Sequence, residues 1–155
     1  MPGKASSHRL RRGRFSETGR LYLITLTCHG RYACFDSLAS GRVFVRALME
    51  VTHEAETLCY VVMPDHVHWL MRLEEGGELC RVVQKVKSLT TRRMRRRSGF
   101  SGALWQSGFH DRALRQEDDV KAVARYVVAN PLRAGLVDRV EAYSLWDACW
   151  VVGEG

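Results

Sequence analysis

The chain has 155 residues, 46% of them apolar, with 24 basic against 17 acidic side chains, a net charge of +7 and a pI of about 9.5. That length and apolar content suit one domain with its own core, and no apolar run reaches the roughly 18 residues that a membrane span needs. Five cysteines without a CxxC pair argue for reduced thiols and against a disulfide frame or a zinc ribbon, while the basic balance favours an anionic partner, nucleic acid first.

Residues 1–20 read as a basic arm, with Arg9, Arg11, Arg12, Arg14 and Arg20 and few apolar side chains. Such an arm orders against phosphates. It lacks an apolar segment, so it is not read as a secretory signal, and a cytoplasmic location is expected. Residues 21–155 then form the single folded domain. Residues 21–28 (LYLITLTC) are the first strand, with Tyr22, Ile24 and Leu26 on one face. A helix is expected over 37–56, where Phe44, Ala47, Leu48 and Val51 recur at helical spacing. Two strands follow, 58–62 and 66–72, joined as a hairpin at Met63, Pro64 and Asp65, because proline leaves the ladder and Pro-Asp suits a tight turn.

A second helix is expected over 78–96, with Leu79, Val82, Val83 and Val86 inward and Arg81, Lys85, Lys87, Ser88, Arg92, Arg95 and Arg96 outward. A charged helix face is usually only a solvated one. Here the sign is uniform, and self-repulsion favours a face that tracks phosphates, with Lys85, Lys87, Arg92 and Arg93 as the contacts. Residues 104–114 read as a fourth strand. A third helix starts near Glu117, Asp118 and Asp119, acidic residues that suit a helix N-terminus, and ends near Asn130 ahead of Pro131. Residues 132–150 read as a packing tail anchored by Trp146 and Trp150. The order β-α-β-β-α-β-α implies an α+β fold: a ferredoxin-like or RRM-like antiparallel sheet with helices covering a face.

Two places carry the chemistry. His66 and His68 are two apart on a strand, so they share a face roughly 6–7 Å apart and can grip one cation, whereas Val67 and Trp69 face into packing. A His-x-His pair alone is more often a pair of surface or packing histidines than a pair of ligands. On the third helix, Tyr126 and Asn130 are four apart on one face. Tyr126 falls at the edge of the stripe formed by Val120, Val123, Ala124 and Val127, where a ring can anchor the core and present its hydroxyl outward. A boundary tyrosine with a nearby hydrogen-bond partner is the plainer alternative.

Four segments together resemble the single-tyrosine HUH transposases: residues 60–68 (YVVMPDHVH), 84–91 (QKVKSLTT), 105–115 (WQSGFHDRALR) and 126–137 (YVVANPLRAGLV). Within that family the chain is most similar to the REP-associated tyrosine transposases, and the likeness runs from about residue 9 to residue 137, the basic arm included. The resemblance implies an HUH nuclease fold, with His66 and His68 as metal ligands, Tyr126 as the nucleophile and Asn130 as a third polar ligand. It implies cleavage and rejoining of single-stranded DNA near hairpins of palindromic repeats, through a 5′-phosphotyrosine, with Mg²⁺ or Mn²⁺ as cofactor. Arg11, Arg12 and Arg14 join the helical cations as contacts to the DNA backbone.

No Gly-x4-Gly-Lys loop for ATP is present, as expected if the covalent link keeps the energy of the cut bond. Two other readings stand beside this one: an RRM-like module that binds structured nucleic acid without cutting it, and a nuclease that activates water and forms no adduct. The family contains proteins that complete each site with a partner's tyrosine helix. The short link from 114 to 117 keeps the third helix near its own sheet and favours a monomer, with a dimer as the alternative.

Overall fold

A computed structural model describes residues 17–150 of the chain. Arg11, Arg12 and Arg14, and most of the basic arm with them, lie outside the described residues. Five strands form one antiparallel sheet: β1 (Leu21–Thr27), β2 (Ala55–Val62), β3 (His66–Leu73), β4 (His110–Ala113) and β5 (Trp146–Ala148), in the spatial order β4-β1-β3-β2-β5. Helices α1 (Leu38–Glu50), α2 (Leu79–Ser98), α3 (Val120–Val128) and α4 (Asn130–Arg133) complete the domain. None of the helices among the described residues is long and apolar enough to cross a membrane.

Strict alternation makes the sheet two-sided. On one face Tyr22, Ile24, Leu26, Val67, Trp69 and Met71 are all fully buried, packed with Phe44, Ala47 and Leu48 of α1 and Val82, Val83 and Val86 of α2. The opposite face carries a second apolar cluster, in which Leu58, Cys59, Val61 and Leu70 meet Ala124 and Val127 of α3. Helices therefore cover both faces, not one. Burying an apolar side chain of this size contributes about 1.5–3 kcal/mol, so neither face tolerates a slip in register.

Several boundaries differ from the expected ones. The first helix ends at Glu50, not 56, because Thr52 turns its hydroxyl back onto the Met49 carbonyl (2.7 Å) and the chain folds over at 51–54. Residues 55–57 then open β2, with a bulge between Thr57 and Cys59. The fourth strand shrinks to His110–Ala113. Residues 104–109 run irregularly, with Gly108 at φ 75°, and touch the sheet through one bridge between Trp105 and Cys28. The expected tail contains a strand: Trp146–Ala148 pairs with Val61–Cys59 of β2, and Tyr143 donates to the Val62 carbonyl at 2.6 Å. Its three residues are too short for alternation to show in the sequence.

The third helix starts at Val120, with Asp119 accepting from the Ala122 N–H (3.1 Å) as its cap, and stops at Val128. Pro131 does not end helical structure; it opens α4, where a missing N–H costs nothing. All five cysteines are unbridged thiols, Cys28 and Cys59 buried and Cys149 exposed.

Lys87 departs most from expectation. Its side chain is 8% exposed, and its ammonium donates to the carbonyls of Gln106 (3.1 Å) and Gly108 (2.9 Å). It is therefore withdrawn as a phosphate contact: its charge is spent fixing the 104–109 loop to α2. Replacing it strands two acceptors, and hydrogen bonds to charged groups contribute about 1.5–3 kcal/mol. Lys87→Met should lower stability by about 2 kcal/mol in urea denaturation; an unchanged midpoint would contradict this role.

Candidate functional site

The hairpin turn that precedes the histidines is held from outside. Cys28 N–H donates to the Asp65 carbonyl (2.9 Å), Phe35 N–H to the Pro64 carbonyl (3.0 Å), and Met63 N–H closes onto His66 O (2.8 Å). β3 leaves this turn with His66 and His68 on the face that α3 covers: His68 lies opposite Val61 of β2, a member of the cluster that receives Ala124 and Val127. The imidazole centroids are 4.9 Å apart and the rings are nearly perpendicular.

Each ring is oriented by a protein partner at Nδ1. Asp65 Oδ1 lies 2.7 Å from His66 Nδ1, and Asp65 Oδ2 pairs with Arg31 at 3.2 Å. Thr25 Oγ1 lies 2.9 Å from His68 Nδ1. Nδ1 of each ring is thus engaged by a protein group, the arrangement in which a carboxylate or hydroxyl behind the ring fixes its orientation. For Asp65, burial pushes the carboxyl up, but the hydrogen bond and charge of His66 and the charge of Arg31 outweigh it and hold the group below its usual range. Burial brings His68 down to about 4, assisted by the charges of His66 and Arg133. A neutral imidazole at pH 7 is the form that binds a metal.

Tyr126 is 59% exposed, so its ring does not anchor the core as expected. Its partner is Arg133: the guanidinium carbon sits 3.7 Å from the ring centroid, and Nη2 donates to the Tyr126 carbonyl at 2.7 Å. The Arg133 charge also contributes to holding His68 down. Asn130 opens α4 and donates Nδ2 to the Val127 carbonyl (3.2 Å), which leaves Oδ1 as an acceptor. Among the described residues no group of three or more His, Cys, Asp or Glu is gathered for a metal. Imidazole nitrogens and an amide oxygen are donors that suit Mn²⁺, and Mg²⁺ less well on softness.

The remaining candidates lie on α2, which packs on the other side of the sheet. Lys85 pairs with Glu54 at 3.0 Å, and Arg93 pairs with Glu50. Arg92 is exposed, and the arginines at 95–97 complement the C-terminal end of the α2 dipole. Arg92 and Arg95 line an open groove of about 490 Å³ with Gln84, Ser88, Gln106 and Ser107. This groove reaches the histidine end of the sheet, since Gln106 N–H donates to Thr27 O (2.9 Å) and Thr27 lies opposite His66.

Thr25, Arg31, Asp65 and Arg133 were not singled out from the sequence. Asp65 and Arg133 fall inside the quoted motifs, but Thr25 reaches His68 only through strand pairing, and Arg31 reaches Asp65 from the turn that follows β1. The same pairing sets His110 of β4 opposite Thr25, so that His110, Thr25 and His68 form a row across three strands.

The family model described as "Transposase IS200 like" matches residues 21–130. A protein of Haemophilus influenzae, provisionally named a REP-associated tyrosine transposase, is 24% identical over 135 residues, 79% of this chain and 76% of its own. The structure of a REP-associated tyrosine transposase bound to a REP hairpin aligns with a TM-score of 0.72 at 22% identity, over 86% of this chain and 79% of that one. A crystal structure from Deinococcus radiodurans, provisionally described as a transposase, aligns with a TM-score of 0.52 at 17% identity, over 76% and 95% of the two chains.

The depressed His68 value sets a pH window. Below its ordinary value of 6.5 the unfolded state takes up the proton first, so stability falls as pH drops from 6.5 toward about 4. An NMR titration of the metal-free protein should place the His68 midpoint near 4, and a midpoint near 6.5 would contradict the described burial.

Proposed function

The chain belongs to the IS200-like transposase family, and on that premise we propose that it cuts and rejoins single-stranded DNA beside a palindromic-repeat hairpin, with Tyr126 as nucleophile. One observation carries the reading. The helix bearing Tyr126 covers the sheet face that bears His66 and His68, and it presents Tyr126 beneath the guanidinium of Arg133. The hairpin substrate is supported by the likeness to a transposase solved with a REP hairpin.

His66 and His68, through Nε2, and Asn130, through Oδ1, would hold a divalent cation, Mn²⁺ or Mg²⁺. When bound, such an ion offsets the charge of the phosphate to be cut. Asp65 and Thr25 keep the imidazoles aimed, and burial keeps His68 neutral.

The tyrosine oxygen attacks phosphorus in line with the 3′-oxygen. The new bond joins Tyr126 to the 5′-phosphate, and the bond to the 3′-oxygen breaks. Tyr126 releases its proton and the departing oxygen takes one up. The phosphotyrosine keeps the bond energy, so a 3′-hydroxyl can reverse the step without ATP. Arg92 and the groove beside it would carry the backbone of the flanking strand, with Lys85 and Arg93 exchanging their carboxylate partners for phosphate; surface ion pairs contribute only about 0–1 kcal/mol, so the exchange is cheap. As proposed, one chain suffices, and the basic arm with Arg11, Arg12 and Arg14 adds further contacts.

A labelled hairpin with single-stranded flanks, incubated with the protein and Mn²⁺ and run on a denaturing gel, tests this. The wild type should form a covalent adduct that Tyr126→Phe abolishes while hairpin binding persists. An adduct that survives in the mutant would remove the nucleophile assignment, chelator-resistant binding without cutting would make the protein a binding module, and cutting without an adduct would make it a hydrolytic nuclease. Arg92→Ala should reduce the log-log salt slope of binding by about 0.7, the value for one phosphate contact on a single strand. An unchanged slope would take Arg92 off the DNA path.

A further inference from the structure

The core does not set the position of the Tyr126 side chain. At 59% exposure the ring has little apolar packing to select one rotamer. A nucleophile in that state spends most of its time out of line with its target, and misplacement by about 1 Å costs on the order of 100-fold in rate.

Arg133 supplies what the core does not. Its guanidinium carbon is 3.7 Å from the Tyr126 ring centroid, stacking distance for a cation on an aromatic face. The same group donates to the Tyr126 backbone carbonyl at 2.7 Å, so it is tied to the residue it covers. No carboxylate among the described residues pairs with it. The local fold explains how the two meet. The chain leaves α3 through Ala129, re-enters a helical turn at Asn130 with Pro131 buried, and Arg133 N–H donates to the Ala129 carbonyl at 3.0 Å. Arg133 thereby follows Tyr126 by seven residues, about two turns, and returns over the same side of the helix. A planar fork can stack and donate in one geometry, which a lysine cannot do.

We propose that Arg133 is a positioning residue for the nucleophile: stacked on the Tyr126 ring and anchored to its carbonyl, it holds the exposed phenol in the one orientation that reaches a phosphate bound at His66 and His68. This rests on the reading of Tyr126 as nucleophile. The bond to the carbonyl alone would be an ordinary helix C-terminal cap. Stacking on the side chain is what makes the arrangement specific to this tyrosine.

The test has two arms on the full-length protein. In the first, tyrosine ring signals are followed by NMR without DNA. The Tyr126 ring should show contacts to Arg133 in the wild type and lose both those contacts and its order in Arg133→Ala, with the remaining backbone signals in their native positions. In the second, adduct formation on the labelled hairpin with Mn²⁺ is measured in a single turnover at saturating protein. Arg133→Ala should slow it by about 10- to 100-fold, with hairpin affinity unchanged. Arg133→Lys should recover only part of the rate, and free guanidinium ion should restore part of the rate of the alanine variant. A rate equal to wild type would overturn the proposal. So would rate and affinity falling together, because Arg133 would then be a DNA contact. A wild type that forms no adduct, with the ring still ordered by Arg133, would support the clamp and remove the nucleophile reading instead.

Discussion

The two-residue period of β3 is the constraint on which the rest depends. Val67, Trp69 and Met71 are fully buried against α1 and α2, so β3 cannot rotate or slip without exposing a tryptophan and its neighbours. The alternating residues, His66, His68 and Leu70, are thereby forced to the opposite face. Leu70 joins the cluster under α3, and the histidines continue the same row beside Val61 and Met63 of that cluster. A slip of one residue would exchange the two sets and destroy both cores together. The stability of the sheet and the placement of the imidazoles are therefore one fact.

Electrostatics then separates the roles of like residues. His66 leans on a carboxylate held by Arg31; His68 leans on a hydroxyl and is pushed toward the neutral form. Among the cations, Lys87 is buried and serves the 104–109 loop, Lys85 and Arg93 are matched by glutamates of the α1–β2 region, and Arg133 is spent on a tyrosine. A net charge of +7 thus does not act as a uniform coat. Arg92 and the groove beside it remain open where the sheet ends in His66.

Much of this was legible before any coordinates. β1, the hairpin, the inner faces of α1 and α2, the ferredoxin-like order and the shared face of the histidines all follow from strong periodicity and from Pro64. What was missed has physical reasons. β5 is three residues long, too short to alternate. The early end of α1 hangs on Thr52 capping Met49, while the apolar spacing by itself runs on. Pro131 reads as a helix stop, yet it also fits the first turn of a new helix. Lys87 sits on the charged side of α2, and only the return of residues 104–109 buries it. Thr25 lies 43 positions before His68, and Arg31 lies 34 before Asp65, so only strand pairing and the turn that follows β1 bring them to the site. Arg133 lay in a quoted motif, but nothing in the motif says which side chain it covers.

The central claim is that two imidazoles, an amide and a phenol converge around one cation. Paramagnetic broadening by Mn²⁺ tests it most directly. As Mn²⁺ is titrated into labelled protein, the signals of His66 and His68 should broaden first, with the ring of Tyr126 and the side chain of Asn130 alongside, while Met49 on α1 stays sharp. Broadened histidines with a sharp Tyr126, or no selective broadening at all, would contradict the account.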